Sequence, residues 1–152
     1  MMNLKILFRK QSLLRAIPWM VAIFSFLGFL DAAYLTIEHY LGGIPPCSIV
    51  SGCETVLTSA YAEILGIPVA LIGALYYFTI FMSALLLISF NSEFLWTSIA
   101  VSSSVGFLAS VYFIYLQIFV IGAVCLYCLF SAAMTFMILS VVIMRYLAKR
   151  LG

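Results

Sequence analysis

The sequence predicts an all-α membrane protein: a bundle of four transmembrane helices, with a hydrophilic loop and a capping half-helix between the first two. Of its 152 residues, 66% are apolar and only 8% are charged, a balance outside the range of soluble globular domains. Four apolar stretches, about 17–41, 67–90, 94–119 and 124–147, each reach the roughly 20 residues needed to cross a hydrocarbon layer of about 30 Å. All seven Lys and Arg lie at the two ends, Lys5, Arg9, Lys10 and Arg15 before the first stretch and Arg145, Lys149 and Arg150 in and after the last. Four crossings put both termini on one side, and the positive-inside rule makes that side cytoplasmic. The whole chain, 1–152, reads as a single membrane domain.

Each element has a local reason. Residues 1–16 mix basic and apolar positions and predict an interfacial helical turn or two before the first span. That span is too long for a signal peptide and lacks a small-residue cleavage site, so it is read as retained. Gly42-Gly43 ends it, and Pro45-Pro46 prevents it from restarting. The outward loop covers 42–66. Within it Val56, Leu57, Ala60, Ile64 and Leu65 recur near a 3.6-residue period, too short to span, and predict a half-helix across the outer end of the bundle. Gly66 and Pro68 turn the chain into span two, Asn91-Ser92 marks the turn into span three, and Gly122 the turn into span four. The small residues of span three, Ser102, Ser103, Ser104, Gly106 and Ser110, suit close helix packing. Trp19 and Trp96 fall near the inner boundary and are expected as interface anchors. The slight positive balance follows from orientation and anionic lipid, and gives no reason to invoke nucleic acid.

The chemistry resides in four cysteines, placed as Cys47/Cys53 in the first outward loop and Cys125/Cys128 at the head of span four. With this topology both pairs lie on the outer side, where disulfides persist. Cys125-Leu-Tyr-Cys128 is a C-x-x-C, a spacing that puts two sulfurs on one helix face and that dithiol oxidoreductases use to lower a thiol pKa. A helix beginning near Val124 would place Cys125 in its first turn, where the positive end of the dipole favours thiolate. Cys53 would gain the same at the half-helix, against an opposing Glu54. A zinc cage is disfavoured, because the first pair is separated by five residues and the second is rooted in an apolar span. Two inert disulfides stapling a scaffold, or buried unreactive thiols, are the competing structural readings. A relay of two electrons explains the arrangement better: Cys47 sits where a soluble protein can reach it, and Cys125/Cys128 where a lipid-soluble acceptor can. Four cysteines allow three pairings, and the connectivity stays open.

These residues resemble vitamin K epoxide reductase and its bacterial homologues. The resemblance is carried by D-A-A-Y-L-T-I-E-H-Y before the loop, C-S-I-V-S-G-C-E-T-V-L-T-S-A-Y-A within it, G-I-P-V-A-L-I-G entering span two, and Cys125-x-x-Cys128, over roughly residues 18–147. It implies a bundle enclosing a quinone (ubiquinone, menaquinone or phylloquinone are not distinguished) in a bacterial inner membrane, with the active site on the periplasmic side. By the same resemblance Cys47 would exchange with a thioredoxin-fold (DsbA-like) partner, Cys53 would pass electrons to Cys125, and Cys128 would face the quinone. Ser59 would support the active cysteines. The chain stops at Gly152 without the fused thioredoxin-like domain of many relatives, so the partner is expected as a separate protein. Ala132 stands where animal members have a tyrosine, which argues against transferring epoxide chemistry in detail. A vitamin K quinone or epoxide reductase is the alternative enzyme, and a disulfide-stapled scaffold the non-catalytic one.

Other polar groups in the spans carry weaker expectations. Asp31 lies about 15 Å below the outer end of span one by helical rise and is expected to be protonated or hydrogen-bonded to span-three serines, with a proton-relay or quinone-facing role as the alternative. His39 and Glu38 lie near the outer interface, and His39 is a candidate for thiol deprotonation. Tyr76, Tyr77, Tyr112, Tyr115 and Tyr127 are candidates to line a quinone slot, Tyr127 foremost because it sits inside the C-x-x-C.

Overall fold

A computed structural model describes residues 2–43 and 52–150, with side chains described for residues 12, 14–43 and 52–150. The helices are α1 (Met2–Leu41), α2 (Cys53–Leu57), α3 (Val69–Ser89), α4 (Glu93–Tyr115) and α5 (Leu126–Arg150), with a small hairpin of β1 (Glu63–Ile64) and β2 (Ile67–Pro68) between α2 and α3. Among the described residues, four segments are long and apolar enough to cross a membrane: Leu14–Leu41, Val69–Ser89, Glu93–Ile121 and Leu126–Arg150. The four-span bundle is the architecture expected from composition.

The helices pack because small residues let them approach, since lipid tails give no hydrophobic drive between apolar helices. α1 is the central strut, packed chiefly on α3 and α5, while α4 leans on α5 and less on α3. Gly28 on α1 meets α3 at Tyr77, where a Cβ would lie 2.5 Å from the ring. The Tyr77 hydroxyl donates to the Ser131 carbonyl of α5 at 2.5 Å and lies 2.6 Å from Thr135 Oγ1. One side chain thus ties three helices. The core around it runs through Ile17, Val21, Ile80, Ala84, Ile99, Ile138 and Val142. Leu75, Phe94, Val101 and Leu108 face outward, as lipid-contacting residues should.

Four local features differ from the sequence reading. The basic N-terminal segment and span one are a single helix, α1, of 40 residues with Pro18 inside it. At 1.5 Å per residue α1 is about 60 Å long, twice the hydrocarbon thickness. The expected half-helix is realised only over Cys53–Leu57. Thr58 Oγ1 donates to the Glu54 carbonyl and Ser59 Oγ to the Val56 carbonyl, each at 2.7 Å, so the hydroxyls take up carbonyls at the end of the helix. The chain beyond forms the hairpin, paired Glu63 to Pro68 and Ile64 to Ile67. Its two linking residues, Leu65 (φ 55°) and Gly66 (φ 78°), both adopt positive φ, the form that matches the twist of a tight hairpin. Trp96 is not an interface anchor: it is only 2% exposed, beneath the Arg145 guanidinium at 4.1 Å. Trp19, by contrast, is exposed.

The fourth difference is at the end of span three. After Tyr115 the helix widens into a π-helical turn over Leu116–Ile121, closed by Gly122 at φ 69°. At the far end of the bundle, Arg145 and Lys149 of α5 hold Glu93 at the start of α4, both on Oε1, at 2.8 and 3.0 Å.

Candidate functional site

Cys53 opens α2 and is disulfide-bonded, whereas Cys125 and Cys128 are free thiols. Cys47 lies outside the described residues. Cys53, Val56 and Cys125 form one buried cluster, against which Tyr127 and Cys128 pack. The two described cysteine elements are therefore brought together at one end of the bundle. Gly52 makes this possible. A Cβ there would lie 2.7 Å from the Val124 carbonyl oxygen and 2.8 Å from its nitrogen, so the backbone before Cys53 rests directly on the backbone before Cys125.

Cys125 sits just ahead of α5 rather than inside its first turn. Its carbonyl accepts the Leu129 N–H at 3.1 Å, and its sulfur takes the Cys128 N–H at 3.5 Å, so the cysteine serves as the N-cap where an oxygen side chain is usual. The thiol is lowered to about 7: the Cys128 thiol donates to its sulfur, burial opposes ionisation, and the backbone N–H groups of Cys128 and Tyr127 add to the lowering. A cysteine with that pKa is substantially thiolate at neutral pH, and thiolate is the attacking species in disulfide exchange.

Sequence reasoning missed Gln117. It is 3% exposed, and its side-chain Oε1 accepts the Cys125 N–H at 2.9 Å. Its main-chain oxygen also receives the N–H groups of Gly122 and Ala123. One residue of the π turn thus satisfies three donors of the connection that presents the C-x-x-C. The available signal was that Gln117 is the only Asn or Gln inside the four apolar stretches.

Beside the thiols lies a cavity of about 690 Å3, lined mostly by apolar side chains from α1, α3, α4 and the hairpin region. Cys128, Ser59, Asp31, Tyr76 and Gln117 all contribute to its wall. Ser59 spends its hydroxyl on Val56 and contributes shape. Ala132 also lines the cavity, so no phenol projects from that position. Asp31 does not make the expected bond to span-three serines. Ser103 and Ser104 both donate to the Ala100 carbonyl of their own helix, and Asp31 Oδ2 is buried without a hydrogen-bond partner among the described residues. The Tyr76 hydroxyl is likewise buried without a hydrogen-bond partner among the described residues.

Tyr127 is not among the residues lining the cavity; its ring packs against Tyr34 with centroids 5.7 Å apart. The expectation of a slot-lining Tyr127 is corrected by helix geometry, since neighbours on a helix are rotated by about 100° and Cys128 takes the cavity face. Tyr112 and Tyr115 point outward, leaving Tyr76 and Tyr77 as the cavity tyrosines of the original five. His39 lines the cavity and lies 3.2 Å from Glu63 through Nε2, tying α1 to the hairpin.

A four-span bundle that packs a disulfide-bonded cysteine against a free C-x-x-C, beside an apolar cavity, has the construction of a membrane redox protein. The model of the Vitamin K epoxide reductase family matches residues 19–143, most of the chain. The protein belongs to that family, and is a multi-pass membrane oxidoreductase.

Proposed function

We propose that the protein is a quinone-dependent membrane thiol oxidase that takes electrons from a separate periplasmic thioredoxin-fold donor and so supports disulfide-bond formation outside the bacterial inner membrane. The observation that carries this reading is the state and placement of the sulfurs. Disulfide-bonded Cys53 is buried with Cys125, and Cys128 opens onto the apolar cavity.

The chemistry balances as two exchanges. In the first, the donor dithiol reduces the Cys47–Cys53 disulfide and becomes a disulfide itself. In the second, the Cys53 thiolate attacks the Cys125 sulfur of an oxidised Cys125–Cys128 pair and Cys128 leaves. Cys47 then attacks Cys53, re-forming their disulfide and releasing Cys125. The product has Cys53 oxidised and Cys125 and Cys128 as thiols, matching the sulfur states of the structure. The Cys128 thiol hydrogen bond that chiefly lowers Cys125, joined by the backbone N–H groups of Cys128 and Tyr127, also makes it a good leaving group in the last step.

The cavity suits a quinone: its wall is mainly apolar, and the two unpartnered polar atoms, Tyr76 hydroxyl and Asp31 Oδ2, are ones that carbonyl oxygens would complement. When bound, a quinone accepts two electrons from the thiols and two protons, leaving as quinol. Tyr76 and a protonated Asp31 can each donate a hydrogen bond there, and Cys128 supplies the sulfur on the cavity wall.

The test is anaerobic mixing of purified protein with a reduced thioredoxin-fold donor and a soluble quinone, following quinone absorbance. Stoichiometric loss of quinone, abolished by replacing any one cysteine with alanine, is the expected outcome. Full turnover by Cys128→Ala defeats the reading, and so does a wild-type protein whose disulfides and quinone both stay unchanged.

A further inference from the structure

We propose that the end of the bundle opposite the cysteines carries a binding site for the phosphate headgroup of an anionic phospholipid. A second cavity, of about 560 Å3, lies there between the first turns of the α1 span, the α3–α4 connection and the last turns of α5. Among the described side chains, Arg15, Arg145 and Lys149 face it with a single carboxylate, Glu93. The local balance is a surplus of two positive charges.

The geometry shows that Glu93 alone does not complete this cluster. Arg145 Nη2 and Lys149 Nζ share one oxygen, Glu93 Oε1. The Arg145 guanidinium lies over the Trp96 ring, and the residue is only 6% exposed. Its Nη1 is buried with no acceptor among the described residues. A guanidinium offers five donors in a planar fork, and leaving part of that fork unpaired away from water is costly. An anion with several acceptor oxygens beside Arg145 would satisfy it, and phosphate is the group whose geometry best fits an arginine fork.

The remaining wall decides the source of the phosphate. Pro18 and Leu87 contribute an apolar side to the same cavity, and exposed Trp19 borders it, as an aromatic ring at headgroup depth should. An acyl chain against the apolar side with its headgroup at the cations matches both halves; a free phosphate matches only one. Basic pockets between spans are the expected form of anionic-lipid recognition. A zwitterionic lipid would add its own cation to a site that already has two too many.

The experiment uses the full chain, purified and delipidated in neutral detergent, with native mass spectrometry counting bound phosphatidylglycerol or phosphatidylcholine of identical acyl chains. Wild type should retain one phosphatidylglycerol with a preference of about 25-fold, roughly fivefold for each of two surplus cations near a membrane surface. Arg15→Gln with Lys149→Gln removes two exposed cations and leaves the Arg145–Glu93 pair in place. This variant should unfold at the wild-type temperature in lipid-free detergent yet lose the preference. Equal retention of the two lipids by wild type overturns the proposal, as does a preference that survives in the variant. Displacement of phosphatidylglycerol by inorganic phosphate at matching concentration would mark a soluble-anion site and overturn it too.

Discussion

Replacing Gly52 by alanine probes the contact that joins the two cysteine elements. The backbone at Gly52, φ −106° and ψ −7°, has negative φ and is allowed to alanine, so the glycine is required by its neighbour and not by its own conformation. An added Cβ would sit 2.7 Å from the Val124 carbonyl oxygen, against an ordinary contact starting at 3.4 Å, so α2 must retreat by their difference, about 0.7 Å. Misplacing reacting groups by about 1 Å costs on the order of 100-fold in rate, which scales to about 25-fold here. The fold should survive, because local overpacking costs only about 1–3 kcal/mol. The assay needs no partner. In a Cys128→Ala background, a Cys125 thiolate that attacks the disulfide at Cys53 is trapped as a Cys53–Cys125 mixed disulfide. A jump from acid to neutral pH starts the reaction, and non-reducing peptide mapping follows it. An unchanged rate in Gly52→Ala, with unfolding temperature also unchanged, refutes the argument that this backbone contact sets the approach of the sulfurs.

The same trapping rate should fall about tenfold for each pH unit below the Cys125 midpoint and level off above it, because the thiolate is the nucleophile; a flat profile refutes this. In the Cys128→Ala background that midpoint should lie above the value of about 7 in the intact pair, whose main support is the Cys128 thiol. Gln117→Leu leaves the Cys125 N–H without its acceptor in a buried site, a loss of about 1–3 kcal/mol readable by unfolding in detergent. Gln117→Glu keeps an acceptor but sets a carboxylate beside the thiolate, so the pH midpoint of trapping should move upward. Tyr77→Phe removes a hydroxyl shared by the Ser131 carbonyl and Thr135, and should cost about 1 kcal/mol by the same unfolding measurement while leaving the cysteine chemistry in place.

Much of this was readable from residues alone, because membrane crossing is a demand on composition that few other constraints override. Four apolar stretches of sufficient length became four spans, and Gly122 turns the chain between spans three and four as expected. What escaped were choices made by single atoms. The periodicity at Val56 to Leu65 looks helical, but the Thr58 and Ser59 hydroxyls take local carbonyls, and a leucine at positive φ is not a turn signal. Trp96 is buried because an arginine 49 positions later closes over it, a pairing that no local pattern encodes. Tyr127 and Cys128 are adjacent in sequence, so only the exact start of α5 decides which of them meets the cavity. Within the candidate site, the cysteines declare themselves by reactivity. Gln117 contributes by hydrogen bonding, and one amide in an apolar run carries little signal by itself.

The widened turn at Leu116–Ile121 makes the length of that stretch matter more than its composition. A π-helical turn holds one residue more than an α-helical turn, so deleting any single position there would let the helix wind normally. Everything downstream would then be rotated and drawn in by one step, and the amide that grips the loop would no longer be opposite it. Exchanges of one aliphatic residue for another in this hexapeptide should be tolerated; a change in the number of residues should not.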